Sequence, residues 1–143
     1  MAKLTIIGRP VIPVSAHGSA LVSREPLSFW GGYDWKTGEI IDRRHPLSGS
    51  IAVGKILAIP FTRVSSTTTA VLLEAIRAKT APVAIITTAM DFFFALASVV
   101  ADELYSAPIP LVAVAESDFA RIQTGDRVEL DGKGNIVVLR SGG

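Results

Sequence analysis

The chain contains no cysteine. Disulfides, thiol nucleophiles and thiolate-held iron–sulfur clusters are therefore excluded from the chain itself, and any such cluster has to come from a partner. Charge is scarce as well. Lys+Arg of 14 against Asp+Glu of 13 leaves a formal net charge of +1, without a basic run or regularly interleaved aromatics, which argues against nucleic acid as a ligand. Uninterrupted apolar runs are short, because Pro82, Asp91, Asp102 and Glu103 break them before they could span a bilayer. The start Met1-Ala-Lys-Leu4 lacks the layout of a secretory leader. The expectation is a cytoplasmic protein that does not engage a membrane. Also missing are a phosphate-binding glycine loop with Lys, a Ser-His-Asp set in recognisable context and a zinc-ligand cluster.

What is present is apolar. Hydrophobic residues make up 49% of the 143 residues, enough for a substantial core in one domain spanning residues 1–143. A small domain this apolar either fills its core well or exposes a surface that a partner covers.

Residues 4–23 hold short β-branched runs between Gly8, Pro10, Pro13 and Gly18, which read as antiparallel strands. Residues 24–54 are rich in aromatics, paired glycines and turn chemistry, including Asp34 and Thr37-Gly38, and are expected to form an ordered loop region. The periodicity then changes. Residues 55–59 read as a buried strand, and the segment after Ser66 as a helix with Val71, Leu72, Ala75 and Ile76 on one face. Residues 82–87 form a second buried strand, Asp91 N-caps a helix running to about Leu104, and residues 109–114 form a third strand. A helical turn over residues 117–123 and a hairpin around Asp131-Gly-Lys-Gly134 close the pattern. Antiparallel strands followed by βαβαβ predict an α/β domain of three layers: a mainly parallel central sheet, helices on one face and a second, antiparallel β-layer on the other.

Ligands of such sheets sit at the carboxyl ends of the parallel strands. Here that position belongs to residues 61–69, Phe-Thr-Arg-Val-Ser-Ser-Thr-Thr-Thr. Hydroxyls there precede a helix whose first N–H groups and dipole favour an anion, and Arg63 can grip a carboxylate or phosphate in two-pronged fashion. An Arg and helix-terminal N–H groups would lower the pKa of a neighbouring serine by stabilising its alkoxide. An ordinary Ser/Thr helix cap explains the same residues. Gly31 and Gly32 could admit a ligand close to the backbone or simply form a turn. His45, between Arg43-Arg44 and Pro46, is a candidate acid–base group, although a lone loop histidine is more often structural. Asp102-Glu103 reads as a solvated helix face, since adjacent carboxylates on a helix point apart.

Several segments, taken in order, resemble the swivel domain or small subunit of the aconitase X family. These are Pro26-Leu-Ser-Phe-Trp-Gly-Gly-Tyr-Asp34 with Thr37-Gly38, Ile41-Asp42 to His45-Pro46-Leu47, Arg63-Val-Ser-Ser66, Leu72-Leu-Glu-Ala-Ile76 with Thr80-Ala-Pro82, and Val100-Ala-Asp-Glu-Leu-Tyr105. The resemblance implies a swivelling β/β/α domain that pairs with a large catalytic subunit whose cysteines hold an iron–sulfur cluster. It implies a hydro-lyase acting on a small hydroxy-carboxylate, cis-3-hydroxy-L-proline first among the candidates and mevalonate 5-phosphate second. It further implies Ser65 as the base with Ser66 as its rival, Arg63, Ser66 and Thr67 positioning the carboxylate, and Gly31 and Gly32 lining the cleft. Thr62 and Val64 stand where family members usually carry glycine. A reading of another class is a non-catalytic module that holds an anion or assembles a complex through the same helix N-terminus.

Overall fold

Two periodicities, two for strands and 3.6 for helices, set the architecture. The computed structural model describes residues 2–61, 67–89 and 91–140. In chain order these form β1 (Ala2–Ile7), β2 (Arg9–Ile12), β3 (Ala16–Val22), β4 (Tyr33–Asp34), β5 (Glu39–Ile40), β6 (Ile56–Ala58), α1 (Thr67–Ala78), β7 (Ala84–Thr87), α2 (Phe92–Tyr105), β8 (Leu111–Ala113), α3 (Glu116–Phe119), β9 (Arg127–Leu130) and β10 (Asn135–Arg140). The eight-stranded sheet runs β1-β10-β9-β3-β6-β7-β8-β2, and β4 and β5 make a separate two-stranded ribbon.

The strands β3, β6, β7 and β8 are mutually parallel where they pair. Alternate side chains of these strands enter different cores. Leu57, Ile59, Ile85 and Leu111 face the helices, where Leu72, Ala75 and Ile76 of α1 meet Phe94, Ala97 and Ala101 of α2. Ile56, Ala58, Ala84, Ile86 and Val112 face the other way, onto Val128, Leu130, Ile136 and Val138 of the closing hairpin. Burial on both faces is what makes these strands read as continuous apolar runs. The hairpin strand β9, by contrast, alternates exposed Arg127 and Glu129 with buried Val128 and Leu130, as a strand with one wet face must.

The expected β/β/α layering is present, and the two β-layers are continuous with one another. Strand β3 serves both: Ala16 to Ser19 pair antiparallel with β9, and Ala20 to Val22 pair parallel with β6. Residues 4–23, expected to be antiparallel throughout, are therefore mixed. At the far side the chain passes from β1, one end of the strand order, to β2, the other end, through Gly8 alone. A Cβ on Gly8 would lie 2.6 Å from Val112 Cγ1 and 2.9 Å from the Ala113 carbonyl oxygen, so any side chain at this corner would have to displace its neighbours. The Gly8 N–H donates to the Gly134 carbonyl at 2.8 Å and ties the corner to the hairpin turn.

Residues 24–54 are turns and the β4–β5 ribbon, as the sequence suggests, yet they carry their own share of core. Leu27, Phe29, Tyr33, Ile40, Leu47 and Ala52 are buried against the helix-side cluster. Among the described residues, no helix is long and apolar enough to cross a membrane.

Candidate functional site at the carboxyl edge of the sheet

The carboxyl ends of β6, β7 and β8 share one edge, and hydroxyl side chains stitch it together. Thr88, just past β7, donates from both its N–H and its Oγ1 to the Pro60 carbonyl, at 3.0 and 3.1 Å. Thr87 is fully buried and donates to the Ala89 carbonyl at 2.6 Å. The Val114 N–H donates to the Thr87 carbonyl at 2.8 Å, locking the third strand to the second. Polar groups drawn from water into such a seam stay only because they find partners.

Two helices start at this edge. Asp91 N-caps α2, its Oδ1 accepting from the Phe93 and Phe94 N–H groups at 3.0 and 3.1 Å. The first turn of α1 is Thr67, Thr68 and Thr69. Thr69 Oγ1 donates to the Phe93 carbonyl at 3.1 Å, so the two helix N-termini are joined directly. Thr68 is completely buried and its Oγ1 has no hydrogen-bond partner among the described residues. An unpaired buried hydroxyl of this kind costs ~1–3 kcal/mol.

The aromatic loop abuts the same place. Phe29 stacks on Tyr33 at 4.8 Å and meets Phe94, in the first turn of α2, edge-on at 5.1 Å. Gly31 has φ +75 with open space around it, whereas a Cβ on Gly32 would sit 2.1 Å from the Ser28 carbonyl oxygen. Gly32 is thus required by its own turn. Trp30 projects outward, 69% exposed. Burial raises the Tyr33 hydroxyl well above its ordinary value, and that hydroxyl donates to the Thr80 carbonyl at 2.8 Å.

Of the residues named from sequence, Arg63, Ser65 and Ser66 lie outside the described residues. Thr67 opens α1, and Gly31 and Gly32 follow in the chain the Phe29 whose ring meets Phe94 of α2. His45 stands apart in a cleft of about 320 Å³ with Glu25, Pro26, Ser28, Asp42 and Arg44. Its Nδ1 accepts from the Leu47 N–H at 3.1 Å, which leaves the proton on Nε2, 3.4 Å from the Glu25 carbonyl oxygen. That ring holds main chain on both sides. Asp102 and Glu103 are exposed on α2, as expected of a solvated face.

Sequence reasoning missed Arg9, Arg24 and Thr88, which line clefts at the carboxyl edge. One cleft, of about 390 Å³, holds Arg9, Thr88 and Ala115; the next, of about 230 Å³, holds Arg24, Pro60, Thr88 and Phe119. Arg24 is committed to structure, donating to the Phe119, Ala120 and Ile122 carbonyls at 2.9, 3.1 and 3.2 Å. Nothing in the local sequence marks Thr88, because its role depends on Pro60 reaching it from another strand.

The donor set does not suit an iron–sulfur cluster. The chain has no cysteine, and among the described residues no group of three or more His, Cys, Asp or Glu could hold a metal ion. What the edge offers is a helix N-terminus, hydroxyls and main-chain N–H groups, a setting for an anion.

The family of aconitase X swivel domains matches residues 5–139. The chain belongs to that family. Over 111 residues, 78% of this chain, it is 43% identical to a cis-3-hydroxy-L-proline dehydratase of Pseudomonas aeruginosa, of which the match covers 19%. Over 140 residues, 97% of this chain, it is 31% identical to a phosphomevalonate dehydratase small subunit of Methanosarcina acetivorans, of which the match covers 93%. The crystal structure of Thermococcus kodakaraensis aconitase X in its holo-form superposes with a TM-score of 0.85 at 31% identity, covering 96% of this chain and 99% of that one. The chain spans about a fifth of the length of the curated cis-3-hydroxy-L-proline dehydratases it matches.

Proposed function

We propose that these 143 residues act as a single swivel-type domain, the small subunit of a cytoplasmic aconitase X-type hydro-lyase that is active only with a large, cluster-bearing subunit. The observation that carries this reading is the hydroxyl-rich α1 N-terminus at the carboxyl edge of a family-matched fold. The iron–sulfur cluster belongs to the large subunit, consistent with the lack of thiolate donors here. The substrate is a small hydroxy-carboxylate, first of all cis-3-hydroxy-L-proline. In that reaction the proton beside the carboxylate and the hydroxyl on the neighbouring carbon leave as water, and the enamine so formed tautomerises to Δ1-pyrroline-2-carboxylate.

This chain contributes the base. Ser65, as alkoxide, takes the proton beside the carboxylate, and Arg63 together with the first N–H groups of α1 lowers the cost of that alkoxide. Arg63, Ser66 and Thr67 hold the carboxylate, using charge-assisted hydrogen bonds and the dipole of a 12-residue helix. Gly31 and Gly32 line the cleft. His45 keeps the 42–47 loop in place through its bond to Leu47.

Mevalonate 5-phosphate is the second reading for the substrate. It is favoured by the extent of the match, since the Methanosarcina small subunit aligns with 97% of this chain against 78% for the Pseudomonas enzyme.

Coexpression with a cysteine-bearing large subunit, followed by assays on both substrates, tests the reading. Turnover of cis-3-hydroxy-L-proline that Ser65→Ala abolishes and Ser66→Ala only weakens is the expected result. Full activity in Ser65→Ala would remove Ser65 as the base. A stable complex that turns over neither substrate would favour a non-catalytic anion-binding or assembly module.

A further inference from the structure

Helix α2 is apolar nearly all the way round. Its buried face, Phe94, Ala97, Ser98 and Ala101, repeats at helical spacing and packs into the core. The opposite face repeats at the same spacing with Phe92, Leu96 and Val99, which are 74%, 53% and 53% exposed. A helix apolar on all sides is ordinarily a buried one. Helix α1 next to it shows the usual pattern, with an exposed Glu74–Arg77 ion pair at 2.7 Å on its outer side. Other exposed apolar side chains, such as Ile7 and Phe61, lie outside the helices, whereas on α2 three share one helical face, and exposed apolar area gathered in this way marks an interaction site.

We infer that the Phe92–Leu96–Val99 stripe of α2 is the surface on which the large catalytic subunit docks. The inference rests on the proposed function and names the contact that function needs. Two observations fix the occupant. The stripe begins at the active edge itself, because Phe92 is the first residue after the Asp91 cap, next to the Phe93 carbonyl that receives Thr69 Oγ1 of α1. A partner that completes the site at this edge therefore meets the stripe without leaving the edge. The second observation is size: in the cis-3-hydroxy-L-proline dehydratases the match covers 19% and 22% of the polypeptide, which leaves about four fifths of each chain outside this fold to supply a partner surface. The stripe ends at Glu103, beside Asp102, and the matching surface is expected to be apolar with a basic residue at the far end. Aromatic anchors of this type carry most of the energy of an interface.

The test is binding of the purified chain to a cysteine-bearing large subunit of an aconitase X-type enzyme, measured by calorimetry alongside turnover. The double variant Leu96→Asp/Val99→Lys should weaken binding by about a hundred-fold or more, as loss of a hot-spot cluster does, while its circular dichroism and unfolding midpoint stay close to wild type. The milder Leu96→Gln covers the case in which the double variant does not fold, and should lose about ten-fold. Arg77→Ala on α1 should bind as wild type does. Unchanged affinity in a folded stripe variant overturns the inference and leaves the proposed function standing. Failure of the wild-type chain to bind any such subunit overturns both. Self-association of the isolated chain through the stripe, with large-subunit binding unaffected by the substitutions, would assign the surface to a second copy and overturn the inference.

Discussion

Asp126 is a firmly held carboxylate, and its position explains why. It is 3% exposed and accepts from Arg140 Nε at 2.9 Å, from Arg140 Nη2 at 2.9 Å and from the Gln123 N–H at 2.9 Å. The Arg140 bond, helped by the Gln123 N–H and opposed by burial, holds its pKa below the ordinary aspartate value. In the unfolded chain an aspartate titrates near about 3.9. The stabilisation is therefore complete above that pH and drains away as pH falls through the lower folded-state value. Asp126→Asn should cost ~1.5–3 kcal/mol at neutral pH, the range for hydrogen bonds to charged groups, and should flatten the acid limb of a urea-midpoint profile taken from pH 7 to pH 2. Thr68 works in the opposite sense. Its buried Oγ1, without a partner among the described residues, makes Thr68→Val, which keeps the branched shape, neutral or stabilising by up to ~1 kcal/mol. A loss of more than that in urea unfolding would mean the hydroxyl has a partner in solution.

Helix α2 shows how much of an element can be read from residues near in sequence. Its start at Asp91 and its length were legible, because an Asx cap followed by an apolar run is a local signal. Ser98 was not legible. Its Oγ donates to the Ile109 carbonyl and accepts from the Ile109 N–H, both at 2.8 Å, tying α2 to the entrance of β8. A serine in mid-helix usually looks like a minor propensity loss, and its value here depends on a residue eleven positions away that the fold brings alongside. Ser98→Ala leaves the Ile109 N–H and carbonyl without that hydroxyl in a dry environment. The expected cost is ~1–3 kcal/mol, readable as a lowered denaturant midpoint, with faster amide exchange at Ile109 and Leu111. The carboxyl-edge site divides in the same way. The hydroxyl cluster of residues 61–69 and the Gly31-Gly32 pair could be picked out locally, while the Thr88–Pro60 and Thr69–Phe93 bonds exist only once separate strands and helices are side by side.

At the scale of the whole molecule, the strand content and the parallel order were legible, and the way the layers join was not. Alternation and apolar runs report which faces are buried, and both faces of β6, β7 and β8 are. They do not report that β1 and β2, adjacent in the chain, end up at opposite ends of one strand order. That closure rests on Gly8, read from sequence only as punctuation between strands. Its missing side chain lets β1 turn into β2 directly above Val112 and Ala113. The opposing turn is equally confined, for Gly134 has φ +101 and a Cβ there would lie 2.5 Å from the Gly8 carbonyl oxygen. Gly8→Ala must push Val112 Cγ1 and, less easily, the Ala113 main chain, and overpacking of this kind costs ~1–3 kcal/mol. Because the displaced strands are β8 and β2, the strain falls on the edge that carries the candidate site as well as on the hairpin. Gly8→Ala should therefore lower the unfolding midpoint and shift the backbone amide resonances of residues 111–115 together with those of 134–136, whereas Gly49→Ala, where φ is +87 but no atom lies within 4 Å, should cost stability through backbone strain alone and leave those resonances in place. Coupled shifts at both ends of the Gly8 corner are the signature of a closed pair of layers; shifts confined to residues 7–9 would show that the two layers yield independently.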